Sequence, residues 1–201
     1  MINWKRIFGS KKTMENPNLK QPYEHHDALH LWEDDYLMME LLPTENLDFL
    51  KTETKRIGNF SNEHYDGSGF TEITAISEKP LKTIDRKIPI QNVVEIFSNI
   101  GFEKIEKIVN QGEGLLEPSK MPLCYGNKYF AIVLEQKDNY LEHIWITREF
   151  DTDLNFEKAK FGFMNFATQF DFIAVNWFLC SIYDLKSEKG IEDFLYYNEI
   201  H

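Results

Sequence analysis

Two apolar runs in the second half of the chain predict a β-hairpin. They span residues 129–136 and 140–150, and both are rich in β-branched and aromatic residues. The polar segment Lys-Asp-Asn lies between them and is typical of a tight turn. Apolar residues of the first run point to both faces of the predicted strand, with Phe130 on one side and Val133 on the other. Such a strand must be covered on both sides.

Four further segments carry apolar residues at helical spacing, bounded by residues that start or end helices. Thr44 is expected to cap a first helix that ends at Gly58, with acidic residues early and basic residues late, as the helix dipole favours. Pro89 begins the second helix and Gly101 closes it. The predicted N-caps of the third and fourth helices are Asp153 and Ser187.

Shorter alternating or apolar segments predict the remaining strands, at 29–32, 36–42, 70–77, 82–87, 102–109 and 172–178. Residues 110–127 include three glycines and two prolines, which predicts a long connection without regular structure. Several neighbouring strands are expected to form hairpins. The predicted fold is therefore α+β, a mostly antiparallel or mixed β-sheet with about four helices packed mainly on one face.

Length and charge suggest how the chain is organised. Its 201 residues are 42% hydrophobic, which suits a single α+β domain over residues 25–201. The net charge is −11, but residues 1–20 hold five Lys or Arg against one acid, and the rest holds 17 bases against 32 acids. Residues 1–24 are therefore expected to form a basic extension and linker. The acidic remainder repels phosphate backbones and attracts basic proteins, so we expect a basic protein partner and no nucleic acid.

The sequence also predicts a cytoplasmic protein that does not enter a membrane. Its apolar runs are far shorter than the roughly 20 residues of a membrane span, and the N-terminus lacks the apolar region of a signal peptide. The two cysteines, Cys124 and Cys180, lie beside apolar residues and are expected to be reduced, packed thiols. No cofactor is expected, and the sequence leaves the oligomeric state open.

Two polar clusters were weighed as cation sites. His25, His26 and His30 are the nearest approach to a metal cluster, but the segment reads as a linker running into a strand and lacks a fourth ligand. The carboxylates of residues 33–35 lack the alternating oxygen ligands and the glycine of a calcium loop. We therefore expect surface histidines, a solvated acidic corner at residues 33–35, and no metal site.

An enzyme of unrecognised class is the alternative interpretation. Its candidate catalytic residues are His64, Asp66, Glu113 and Cys124, lining a pocket between loops 61–69 and 110–126. A histidine near an acid suits proton transfer, because its ordinary pKa is about 6.5, and a catalytic thiol needs a base within reach. The sequence contains neither a nucleophile elbow nor a phosphate-binding loop.

The small size, the acidity and acid-flanked aromatic segments such as Trp32-Glu33-Asp34-Asp35-Tyr36 make the chain similar to the immunity proteins with which bacteria neutralise toxins. The resemblance implies a non-catalytic protein-binding module that neutralises a basic toxin through complementary charge. The expected contact surfaces are the acidic corner and the loop 61–69. Their expected binding residues are Trp32, Glu33, Asp34, Asp35, Tyr36, Glu63, Tyr65 and Asp66.

Overall fold

The computed structural model describes residues 27–110, 114–148 and 156–196. The predicted N-terminal extension and the predicted cap Asp153 lie outside these ranges. The strands are β1 (Leu29–Leu31), β2 (Met39–Pro43), β3 (Ile108–Asn110), β4 (Gly114–Leu115), β5 (Leu123–Asn127), β6 (Phe130–Lys137), β7 (Tyr140–Arg148), β8 (Phe172–Asn176) and β9 (Ser181–Tyr183). The helices are α1 (Leu47–Glu63), α2 (Ile90–Asn99), α3 (Phe156–Phe170) and α4 (Glu188–Leu195).

A six-stranded antiparallel sheet forms the centre of the fold, in the order β5-β6-β7-β2-β8-β9. The predicted hairpin is confirmed as β6 and β7. Asp138 and Asn139 connect these strands with φ angles of 52° and 64°, the left-handed conformation that a tight hairpin turn requires. The second, smaller sheet has the order β1-β3-β4 and is mixed, so the α+β prediction is confirmed.

Helices α2, α3 and α4 cover one face of the large sheet and enclose an aromatic core. The Phe166 ring lies 4.9 Å from that of Phe172 and 5.9 Å from that of Phe97. Two predicted helix boundaries on this face are confirmed: Pro89 immediately precedes α2, and Ser187 caps α4 by accepting a hydrogen bond from Gly190 N at 3.3 Å. We call this side the helix face.

The other side of the large sheet, which we call the mixed face, is covered by two different elements. The small sheet packs over one half, where Leu29 and Ile108 meet Val133 and Trp145. Helix α1 packs over the other half, where Leu50 joins the apolar residues of β2 and β8. Three of the four helices thus lie on one face, as the prediction of helices mainly on one face requires.

Several predicted boundaries are wrong, each because long-range packing outweighs a local signal. Helix α1 does not end at Gly58 but continues to Glu63, and Gly58 packs against Cys180 of the β8–β9 turn. Residues 29–32 and 36–42 do not pair with each other, because β1 and β2 belong to different sheets. Only the end of 102–109 becomes a strand, whereas 110–127, predicted to be irregular, contains β4 and β5.

Residues 71–82, which we call the strap, form neither a helix nor a strand. The predicted strand 70–77 is therefore wrong, and the predicted strand 82–87 is a 3₁₀ turn at Thr83–Arg86. Side chains from other parts of the chain hold the strap in place. Asn46, for example, exchanges two hydrogen bonds with the main chain of Leu81, at 2.9 and 3.1 Å. These bonds satisfy backbone groups that a sheet would otherwise satisfy.

Candidate functional site

The acidic corner is a 3₁₀ turn at Glu33–Asp35 between β1 and β2, and only part of it is solvated. Asp35 Oδ2 accepts a hydrogen bond from Thr147 Oγ1 at 3.5 Å, and partial burial raises the pKa of Asp35. The C-terminal end of the corner is therefore tied to the sheet instead of facing a partner. The exposed residues are Trp32, Glu33 and Asp34.

Tyr36 leads from the corner into a group of polar side chains on the mixed face. Its hydroxyl donates to Glu135 Oε2 at 3.2 Å, and Trp145 Nε1 donates to Glu135 Oε1 at the same distance. Burial, followed by the charge of Glu135, raises the pKa of Tyr36. Each oxygen of Glu135 thus accepts one hydrogen bond, and Tyr36 links the acidic corner to the large sheet.

Glu40 lies beside this group, since it faces Trp145 across the β2–β7 pair. It is a buried carboxylate with only 1% of its surface exposed. Lys79 Nζ of the strap donates to both oxygens of Glu40 at 2.7 Å, and His143 Nδ1 lies 3.8 Å from Oε1. A buried charge is strongly unfavourable without such a partner. His143 is partly exposed at the edge of this ion pair.

This polar group links three parts of the chain through its carboxylates. Each oxygen of Glu40 accepts a hydrogen bond from Lys79, and the two oxygens of Glu135 accept from Tyr36 and Trp145. The group therefore fastens the strap and the acidic corner to the sheet. Sequence analysis missed it, although a lone carboxylate within the apolar run Leu37–Leu42 is the signal of a buried ion pair.

The loop after α1 presents two aromatic rings to solvent. Tyr65 and Phe70 are 54% and 64% exposed, they form an isolated antiparallel bridge, and their ring centroids are 5.4 Å apart. We call residues 63–72 the aromatic loop. Its ends are held together by Thr71, whose backbone N–H and hydroxyl both donate to His64 O, at 2.8 and 3.0 Å.

Asp66 orders the tip of the aromatic loop. Its Oδ1 accepts hydrogen bonds from the backbone N–H and the hydroxyl of Ser68 and from Gly69 N, at 2.9 to 3.0 Å. The bonds from Ser68, with a smaller contribution from Gly69, lower the pKa of Asp66, so it stays ionised. Glu63 and Glu72 are exposed on either side of the tip. The result is a preorganised aromatic pair surrounded by carboxylates.

Among the described residues, the structure does not bring the candidate catalytic residues His64 and Asp66 together with Cys124. His64 packs its ring on Phe60 at 4.2 Å, and with Asp66 it follows α1, which covers the β8–β9 half of the sheet. Cys124 lies in β5, at the opposite edge of the same sheet. Its thiol is fully buried, and burial raises its pKa, which opposes thiolate formation. Glu113 lies outside the described residues.

His25 and His26 lie outside the described ranges, and His30 of β1 stacks on Trp32 with ring centroids 6.3 Å apart. Among the residues that the structure describes, no group of three or more His, Cys, Asp or Glu side chains is arranged to hold a metal ion. None of the described helices is long and apolar enough to cross a membrane.

Comparison with known proteins does not add to this picture. No protein-family model matches the chain, no curated protein matches it, and no solved structure matches its fold. The function must therefore be inferred from the geometry and chemistry of the residues themselves.

Proposed function

We propose that this chain is a non-catalytic binding protein, possessing the properties of an immunity protein, that neutralises a basic protein such as a toxin through the aromatic loop. The observation that carries the proposal is the pair of exposed rings, Tyr65 and Phe70, held 5.4 Å apart by a turn ordered around Asp66. Aromatic side chains contribute most strongly to protein interfaces when a partner covers them.

The order of the loop favours tight binding. Its turn is already formed by hydrogen bonds within the chain, so association loses little conformational entropy there. The aromatic pair is also large and apolar, and Ile73, which follows the loop, is itself exposed. Contiguous exposed apolar residues rimmed by polar ones are typical of interaction sites.

The surrounding charge favours a basic partner. Glu63, Asp66 and Glu72 are exposed around the rings, and the chain carries a net charge of −11. Complementary charge accelerates the encounter with a basic partner and discriminates against acidic competitors. The two rings supply most of the affinity once the partner covers them. Of the eight binding residues expected from sequence, the proposal retains Glu63, Tyr65 and Asp66 as principal contacts. The exposed residues Trp32, Glu33 and Asp34 form a secondary acidic patch.

The test uses the full chain as bait in a lysate of its native host, with a photo-crosslinking residue in place of Glu72. We expect a basic protein to be cross-linked, and Tyr65→Ala with Phe70→Ala to weaken its binding by about a hundredfold, since two anchors of about 1–2 kcal/mol each are removed. The matched control is Tyr129→Ala with Phe178→Ala, which removes two exposed rings outside the aromatic loop.

Neutralisation is tested by expressing the captured protein in a bacterial host. Growth arrest by that protein, relieved by the wild-type chain and by the control variant but not by Tyr65→Ala with Phe70→Ala, would support the proposal. Equal binding by both double variants, an acidic partner, or rescue that does not depend on Tyr65 and Phe70 would contradict it.

A further inference from the structure

A groove of 710 Å³ lies between α2 and α3 on the helix face of the large sheet. The aromatic loop follows α1 on the mixed face, so the groove is a separate surface and its assignment does not depend on the proposed function. Gly162 explains part of its shape. A Cβ atom there would lie 2.4 Å from Ile100 Cδ1, so glycine lets the two helices approach closely beneath the groove.

The walls of the groove are unusual for this chain because they are rich in carboxamides. Asn92 and Asn99 come from α2, and Asn165 and Gln169 come from α3. Within the described residues, none of these four side chains makes a hydrogen bond to another part of the protein. Charged residues make up 27% of the chain, yet among the described residues that line the groove Glu95 is the one charged side chain.

A carboxamide carries the same donor and acceptor groups as a peptide unit, so it can pair with both the N–H and the C=O of an extended main chain. The spacing along α3 also agrees. Asn165 and Gln169 are about 6 Å apart along the helix axis. An extended chain advances about 6.7 Å over two residues, and the peptide groups two residues apart face the same edge of the chain.

We infer that the groove binds an extended polypeptide segment through its main chain. The carboxamides of α2 and α3 pair with the peptide groups, in the way that an added strand pairs with a sheet edge. Glu95 selects a Lys or Arg side chain on the segment. The ring of Phe161, which is 57% exposed at the groove, packs against an apolar side chain of the same segment.

The probe for this site is a phage-displayed library of random dodecapeptides, selected on the full chain. We expect enriched peptides that contain Lys or Arg and bind about tenfold more weakly to Asn99→Leu with Asn165→Leu, since two amide pairs of roughly 0.7 kcal/mol each are lost. The matched control is Asn59→Leu, because Asn59 is an exposed carboxamide on α1. Unchanged circular dichroism and melting temperature establish that each variant is folded.

Recognition of the peptide's main chain is tested separately from recognition of its side chains. A synthetic copy of an enriched peptide, N-methylated at alternate peptide nitrogens, keeps its side chains but loses its donors, and we expect it to bind about tenfold more weakly. In the spectrum of ¹⁵N-labelled protein, the side-chain NH₂ signals of Asn99 and Asn165 should shift with the unmodified peptide.

Three outcomes would overturn the inference: no peptide is enriched, enriched peptides bind the groove variant as well as the control, or N-methylation has no effect. A shift of the same NH₂ signals by chitotetraose but not by peptide would also overturn it and would indicate a carbohydrate site. Peptides that bind the aromatic loop are recognised separately, because Tyr65→Ala with Phe70→Ala abolishes their binding and leaves groove peptides unaffected.

Discussion

The two faces of the large sheet are covered in different ways. On the helix face, three helices close an apolar core in which Phe97 packs against both Phe163 and Phe166. On the mixed face, α1, the small sheet and the strap cover the same strands, and they enclose the buried carboxylates Glu40 and Glu53. The helix face is therefore stabilised by the burial of apolar area, whereas the mixed face is stabilised by apolar burial together with paired charges.

The difference has a physical consequence. Apolar packing is non-directional and barely depends on pH, whereas a buried ion pair requires both partners in the right protonation state. Glu53, for example, accepts two hydrogen bonds from Arg56, at 2.9 and 2.7 Å, and one of 2.6 Å from Ser77 N of the strap. The mixed face, which carries the aromatic loop, should therefore be the face that acid or single charge changes loosen first.

Loss of an aromatic ring from the helix face should have the largest effect. Phe166 is fully buried and lies within 6 Å of both Phe97 and Phe172. Phe166→Ala should lower the free energy of unfolding by about 4 kcal/mol, because it removes buried area and leaves a cavity. Urea unfolding measures this. The control Phe161→Ala, in the same helix but exposed, should change it by less than about 1 kcal/mol, and equal effects of the two would show that the apolar core is not the main support of this face.

Removal of the Lys79 ammonium group from the mixed face should have the second largest effect on the free energy of unfolding. Lys79→Met leaves Glu40 buried without its partner and should lower the free energy of unfolding by about 3 kcal/mol. Adding Glu40→Gln to Lys79→Met should recover part of the lost stability, since position 40 then no longer holds a buried charge. Lys51→Met, at an exposed ion pair, is the control and should have almost no effect. Failure of the double variant to recover any stability would argue against the ion pair as the cause.

The pH dependence of the mixed face should give the smallest effect of the three. The Arg56 hydrogen bonds are the main cause that lowers the pKa of Glu53 from 4.5 to about 2. A lowered folded-state pKa contributes stability above the unfolded-state pKa and loses it as pH falls through the folded-state value. Glu53→Gln should thus lower the free energy of unfolding by about 2 kcal/mol at pH 7. The difference in stability between the wild type and this variant should become smaller as the pH falls from 4.5 to 2. Urea titrations at several pH values test this, with the exposed Glu63→Gln as control, and a deficit independent of pH would refute it.

The predictions that succeeded rest on signals contained within a short segment. The β6–β7 hairpin was recognised from two apolar runs and a polar turn, and Asp138 and Asn139 adopt the left-handed conformation that such a turn needs. Helices α2 and α4 begin after Pro89 and Ser187 because those residues favour a helix start whatever surrounds them.

The predictions that failed concern segments whose conformation depends on distant partners. The alternating residues 70–77 have the pattern of a strand, but they join neither sheet of the described structure, and side chains of α1 bind the segment instead. Gly58 has the chemistry of a helix end, yet packing of α1 on the sheet carries the helix past it. Cys124 and His64, grouped from sequence, were separated by the strand order.

By itself, the sequence determined which segments fold as helices and as the central hairpin, because periodicity, caps and turn residues act over a few neighbouring positions. Only the tertiary structure decided that Lys79 neutralises Glu40, that Tyr36 binds Glu135, and that Tyr65 and Phe70 face solvent as a pair. Those contacts join residues from separate elements or depend on what packs around them. Local sequence does not encode which distant surfaces meet, and burial and pairing of charge depend on that meeting.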